Sequence, residues 1–395
     1  MIQQAQHVPV ELLSRAQYAA VVKPLLPSEA FVPSKRPLWQ IGLHLGVIAL
    51  CIAGIAAVPY LAVRFLLSAV IGHSLMCLVF LAHELSHGGI LRGSRLRYPL
   101  EVILWGMNVV PATMWRRIHN ETHHVHANTL GDTDRYFREC ELHEPGGTAR
   151  RWYARWFMPH RLTSKWNLGV GFHFVTYIVR HLATVYLPGE HKLSIVTAKP
   201  HYRPGDKARI LFELACIAAM QLVIYLAVGR SLTAYLFAGP VALLFTSTFA
   251  MSYIWTNHYL HGLHELHDPL VGSTSIVVPP LLDRLHSYFS YHTEHHLFPG
   301  MSARYYPLVS EILRQKFPER YHRITYREAW SQLWKGELHI VEPAVTKPLV
   351  DATEAGLSGP HGSFGETPAA PPAAASTPRE NGAPAGGPAP SAVTS

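Results

Sequence analysis

Four apolar stretches, each long enough to cross a bilayer, constrain this chain more than any other feature: residues 43–60, 61–82, 210–228 and 232–255. A hydrocarbon core about 30 Å thick needs roughly 20 helical residues, and a backbone in lipid must satisfy its own hydrogen bonds. The stretches therefore read as four transmembrane helices. Val58-Pro59-Tyr60 separates the first pair and Gly229-Arg230-Ser231 the second. The expected fold is an all-α integral membrane protein whose four spans form two hairpins with very short outer turns. Pro240 is placed to kink the fourth span because it removes a backbone donor. Composition agrees: 15% of the 395 residues are charged, against roughly 25% in a typical globular domain.

The formal charge of +8 raises the question of nucleic acid, but the basic residues do not form one run interleaved with aromatics. Basic loops on one side of a membrane explain the charge better, so a nucleic-acid partner is not expected. The outer turns hold little beyond Arg64 and Arg230, whereas Arg92, Arg95, Arg97, Arg116, Arg117, Arg135, Arg138, Arg150, Arg151, Arg155 and Arg161 lie between the hairpins. By the positive-inside rule that segment and both termini are cytosolic. Residues 100–112 are too short to span. Residues 166–187 are interrupted by His173, Arg180 and His181. Both read as helices lying in the interface. Residues 1–37 are a cytosolic N-terminal segment and 38–341 the membrane domain. Residues 342–395, rich in Pro, Ala, Gly and Ser, form a tail that cannot bury enough apolar surface to fold. The four cysteines are scattered and show no disulfide framework.

The chemistry lies in three histidine groups: His83-Glu-Leu-Ser-His87, His119-Asn-Glu-Thr-His123-His124-Val-His126, and His292-Thr-Glu-His295-His296. Each contains a pair four residues apart, which a helix puts on one face. The first group begins where the second span ends. Asn257 and His261, again four apart, follow the end of the fourth span. With the expected topology every group meets on one membrane face, in a helical cytosolic cap. Imidazole clusters suit iron, copper, zinc or nickel. Eight histidines plus His261 would give four or five ligands to each of two ions, where a single zinc site needs three or four. His261 competes with a stripe of His258, His264 and His267, and its alignment with the span end favours it. His126 reads as a neighbour, and His44 and His73, inside spans, as packing or hydrogen-bonding residues.

The pattern resembles the membrane-bound fatty acid desaturase family, whose three histidine boxes are matched by His83-X3-His87, His119-X3-His123-His124 and His292-X2-His295-His296. The flanks are similar too: Val125-His126-Ala127-Asn128 with Gly131-Asp132-Thr133-Asp134 after the second box, and Leu297-Phe298-Pro299-Gly300-Met301 after the third. The resemblance covers roughly residues 38–340. It implies a di-iron site with ligands His83, His87, His119, His123, His124, His261, His292, His295 and His296, and Asn257 acting through a water. Dioxygen is the implied co-substrate, and the implied reaction takes two hydrogens from adjacent methylenes of an acyl chain. That chain would be carried on a lipid, on CoA or on a carrier protein. The fused cytochrome b5 domain of some members is only imitated, by His143-Glu-Pro-Gly-Gly147. The electron donor is therefore expected to be a separate ferredoxin or cytochrome b5 with its reductase.

Asp132, Asp134 and Glu294, like Glu84 and Glu121, are candidates to hold the outer nitrogen of a ligating imidazole; helix-surface or loop-capping roles suit each as well. Glu213 and Gln221, costly inside the third span, should face the bundle, lining the substrate path or joining helices. Trp115 reads as an interfacial anchor or a channel wall. Two other functions share parts of the pattern. A lipid or carotenoid hydroxylase or ketolase would use the same iron site. A zinc membrane metallopeptidase would use His83-Glu84-X2-His87 as an HExxH motif with Glu84 as base, leaving two boxes unexplained.

Overall fold

The computed structural model describes residues 11–129, 131–134, 169–187, 200–261 and 264–335. The expected tail, the His143–Gly147 stretch and the arginines of 135–161 lie outside the described residues.

Four helices have the length and hydropathy to cross a membrane: α2 (Leu38–Ala57), α3 (Leu61–Ser86), α8 (Asp206–Ala227) and a helix over Leu232–His258. The last comprises α9 (Leu232–Leu236), a π-helical turn (Phe237–Val241) around Pro240, and α10 (Ala242–His258). α2 stops at Val58, whose backbone is extended before Pro59, as the proline ring requires of the residue preceding it. Two of the four run further than their apolar patterns. α3 has 26 residues, about 39 Å of helix at 1.5 Å per residue, so its last turns outrun an apolar core of about 30 Å. Those turns carry the first histidine box.

α3 is the central element, buried almost continuously from Ile71 to Ser86, with α2 on one side and α10 on another. Gly72 makes the approach to α10 possible: a Cβ there would lie 2.4 Å from Phe245 Cβ and 2.8 Å from Ala242 O. Close backbone contact at a small residue is how helices associate where lipid offers no hydrophobic drive. At the π turn, the Ser68 hydroxyl donates to Phe237 O at 2.7 Å, satisfying a carbonyl in a stretch where Pro240 supplies no N–H. α2 and α3 pack along their length. α8 meets the fourth span near their connecting turn, where Tyr235 donates to Gln221 Oε1 at 3.1 Å, and packs otherwise mainly on the helices over Arg97–Met107 and Ala112–Ile118.

α4 (Arg97–Met107) and α5 (Ala112–Ile118) take the place of the expected single interfacial helix over 100–112. Glu213 of α8 fixes them, accepting from Tyr98 OH (2.9 Å), Thr113 N (2.9 Å) and Thr113 Oγ1 (2.6 Å). It joins helices, as does Gln221. A short α6 (His124–His126) follows a π-helical turn (His119–His123). α7 (Gly169–Tyr186) packs lengthwise on α10. Beyond the spans come β1 (Ser275–Val277), α11 (Pro280–Leu285), α12 (His292–Leu297), α13 (Tyr306–Lys316), β2 (Arg323–Thr325) and α14 (Tyr326–Lys335). β1 and β2 pair in parallel and are the only strands among the described residues.

A second apolar core backs the third box. α1 (Arg15–Val22), started by a Ser14–Gln17 capping box, packs Tyr18 and Val22 with Tyr291, Leu297, Phe298, Tyr306 and Val309. Asp268 ties this region together, accepting from Leu13 N (2.8 Å), Tyr18 OH (3.0 Å) and Arg320 Nη2 (3.0 Å). The N-terminal segment is thus packed onto the element that carries the third box.

Candidate metal centre

The C-terminal ends of α3 and α10, the π turn after α5, and α12 converge at one end of the bundle. Their histidines sort into two sets with donor atoms within 4.8 Å of one another: His83, His87, His119, His124 and His295, and His123, His258, His292 and His296. Facing ring nitrogens are close: His83 Nε2 to His119 Nε2 3.1 Å, His124 Nε2 to His295 Nε2 3.1 Å, His292 Nε2 to His296 Nε2 3.1 Å, and His292 Nε2 to His258 Nε2 2.6 Å. Two nitrogens at right angles on one ion, with bonds of about 2.1 Å, would stand about 3.0 Å apart. The spacing therefore fits shared ligation.

The π turn explains how the second box is divided. The pairs 83/87 and 292/296 each serve one set, as their helical spacing predicts. His119 and His123 do not: His119 joins the first set with His124, and His123 joins the second. Adding a residue to the turn rotates 119 and 124 toward a common face. The third box is also divided, since His295 faces the first set while its neighbours face the second. Each ion position thus draws on more than one box.

In the second box two outer nitrogens are held by carboxylates. His119 Nδ1 donates to Asp134 Oδ2 at 2.7 Å and His123 Nδ1 to Asp132 Oδ1 at 2.9 Å, which turns each Nε2 inward. Asp132 also accepts from Asn128 N (3.1 Å) and Asp134 N (3.0 Å), fixing the loop after the second box. Asn128 takes a left-handed conformation there (φ 58°). Glu84 lies between two imidazoles, 3.3 Å from His83 Nδ1 and 3.5 Å from His295 Nδ1, and Tyr306 OH is 3.1 Å from His295 Nδ1.

Three sequence expectations are corrected. Glu294 touches no imidazole: it accepts from Ser275 Oγ at 2.5 Å and from Tyr321 OH, bracing α12 against β1. Glu121 pairs with Arg117 and Arg203. More consequentially, His258 stands where His261 was expected. α10 continues through His258 and ends there, so Asn257 and His261 are never one helical turn apart. His261 Nε2 instead meets Thr274 Oγ1 at 2.5 Å. No glycine or proline interrupts residues 255–261, and extending the helix three residues past Trp255 would have put His258 in line. His126 packs against Gly131, outside both sets.

The donor set suits a metal in other respects. Burial pushes His87, His124, His292, His295 and His296 well below the usual imidazole range, so they are neutral and able to ligate. Burial lowers His119 as well, against the raising effect of Asp134. Burial would raise Asp134, but its bond to His119 together with nearby charge, Arg180 included, outweighs that and holds it below the carboxylate range. The buried ring nitrogen His87 Nε2 has no partner, nor do Oδ1 and Nδ2 of the fully buried Asn257. Orphaned buried polar atoms are costly, and an ion with its water would use them.

An apolar cavity opens onto both sets, reaching His83 and His119 of one and His123, His258 and His292 of the other. Its walls include Val79, Phe80, Met251, Ile254 and Phe289, with Phe174 and Tyr177 contributed by α7. Trp115 is one wall, stacked on His119 (4.4 Å between centroids) and on Trp105 (4.2 Å). Arg180 of α7 donates to Asp134 O at 2.7 Å, so the helix that roofs the cavity is tied to the second box.

The sequence model of the fatty acid desaturase family matches residues 24–328. The chain belongs to that family. A comparison with curated proteins finds no match. Membership makes the chain an oxidoreductase of the fatty acid desaturase and hydroxylase type, a membrane protein acting on acyl lipids, with histidine clusters suited to metal.

Proposed function

We propose that this chain is a membrane acyl desaturase that introduces a double bond with dioxygen and two external electrons at a di-iron site. The observation that carries the reading is the partition of nine imidazoles, eight of them buried and His87 half-buried, into sets of five and four at the wall of an apolar cavity. The ligands are His83, His87, His119, His124 and His295 for one ion and His123, His258, His292 and His296 for the other. Two bound irons would supply the dioxygen activation that removing hydrogen from unactivated methylenes requires. In balance, the acyl chain loses two hydrogens and dioxygen, two electrons and two protons complete two waters.

The protein's own part is positioning. Phe80, Phe289, Met251 and Ile254 hold methylenes against the imidazole layer and exclude water. Asp132 and Asp134 keep His123 and His119 in the inward-facing tautomer. Asn257, with both amide atoms unpartnered, is placed to hold an ion-bound water. Glu84 is engaged by two imidazoles, which favours the desaturase reading over a peptidase in which it would face water as a base. The helix ends that carry the histidines belong, with both termini, to the cytosolic side. Electrons come from a separate ferredoxin or cytochrome b5 and its reductase. The test is the fatty acid profile of cells expressing wild type or His295→Ala, with double bonds located by mass spectrometry. A new unsaturated species present only with wild type supports the proposal; a hydroxylated product moves it to the sister reaction.

A further inference from the structure

We propose that His73, Cys77 and His286 form a separate site for a thiophilic ion, zinc(II) or copper(I). Their donor atoms lie within 4.8 Å of one another. His73 and Cys77 are one turn apart on α3, the same device that presents His83 and His87. His286, at the end of α11, faces them with its Nε2 3.1 Å from His73 Nε2. Cys77 is fully buried and His286 nearly so, while His73 is the partly exposed member that gives an ion its entry.

Two features favour an ion over a chain of hydrogen bonds. Tyr253 OH lies 2.7 Å from His286 Nδ1; with the Nδ1 proton donated there, as in metal-bound imidazoles, the His286 Nε2 lone pair faces His73 Nε2 at 3.1 Å, a spacing at which both can ligate one cation. The Cys77 Sγ to His73 Nδ1 separation, 4.0 Å, is long for a hydrogen bond to sulfur. Ligand separations in a tetrahedral site with bonds of 2.0–2.3 Å are about 3.3–3.8 Å, so side-chain shifts of about 1 Å close the site. Mixed imidazole and thiolate donors select zinc or copper(I). Ionisable groups among spanning helices are otherwise an uncompensated cost.

The site is distinct from the histidine sets described above. Cys77 lies six residues before His83, about 9 Å along the helix. Phe80 and Phe289, stacked at 4.0 Å, stand between His286, which Phe80 meets, and His83, which Phe289 meets.

The test is elemental analysis of purified full-length protein, as isolated and after loading with zinc(II) or copper(I) and desalting. The expected result is about one zinc or copper per chain in addition to iron, lost in Cys77→Ser and His286→Asn and kept in Cys51→Ser. Cobalt(II) loading of wild type should add a thiolate-to-cobalt charge-transfer band that Cys77→Ser abolishes. The inference is overturned if wild type takes up neither ion, if uptake is undiminished in Cys77→Ser, or if cobalt-loaded wild type lacks the band. The cobalt measurement on wild type decides even if a variant fails to fold. Because neither histidine set contains sulfur, each result leaves the di-iron reading to its own test.

Discussion

Replacing His258 should empty one ion position, and replacing His261 should not. His258 Nε2 stands 2.6 Å from His292 Nε2 in a set of four, so His258→Ala leaves three ligands. Structural zinc bound by four ligands is worth about 10–16 kcal/mol, or about 3 kcal/mol per ligand. At 1.4 kcal/mol per tenfold, the affinity of that position falls by about a hundredfold, enough to lose its ion on purification. His261→Ala removes the hydrogen bond to Thr274, worth about 1 kcal/mol, and no ligand. Iron per chain should drop from about two to about one in His258→Ala, with product formation abolished, and stay at about two in His261→Ala. The reasoning is refuted if His261→Ala loses iron while His258→Ala retains it.

Three further outcomes follow from the same geometry. Asp134→Asn, which removes the carboxylate from His119 Nδ1, should weaken iron retention about 10–100-fold without unfolding the chain, read as iron remaining after chelator challenge. Acid should release the metal and destabilise the protein. Burial lowers the ligand histidines in the fold and His267 to about 4, so protons favour the unfolded chain. This contribution is full above the unfolded pKa of about 6.5 and is lost as pH falls from there toward the folded values, read as iron content and melting temperature from pH 8 to about 4; iron retention unchanged across that range would contradict it. Gly72→Val should overpack the α3–α10 contact, where even a Cβ would be 2.4 Å from Phe245 Cβ. A cost of about 1–3 kcal/mol should appear as a lower melting temperature in detergent together with reduced activity, because that contact aligns the ends bearing His83 and His258.

What could be read from the sequence were features with a local physical cause. Spans follow from apolar length, and the break at Val58-Pro59 from proline sterics. The pairing of His83 with His87 and of His292 with His296 follows from helical spacing. What could not be read depended on where a helix stops and how it is wound. The apolar pattern of the fourth span fades at Trp255, but the helix continues to His258, and three residues decide which histidine is in the site. The π turn at 119–123 has no apolar signature, so the division of the second box between two ion positions was hidden. Asp132 and Asp134 were legible as carboxylates near histidines. Glu294 looked the same in sequence, yet its contacts with Ser275 and Tyr321 are set by β1 and the chain after α13, far from it along the chain. Tyr306 was missed for the same reason.

The central claim is that two irons sit in these two imidazole sets. Elemental analysis of the purified wild-type protein, with iron-edge X-ray absorption on the same sample, tests it most directly. The account predicts about two irons per chain in a shell of nitrogen and oxygen donors without sulfur. One ion per chain, or zinc in place of iron, would contradict it.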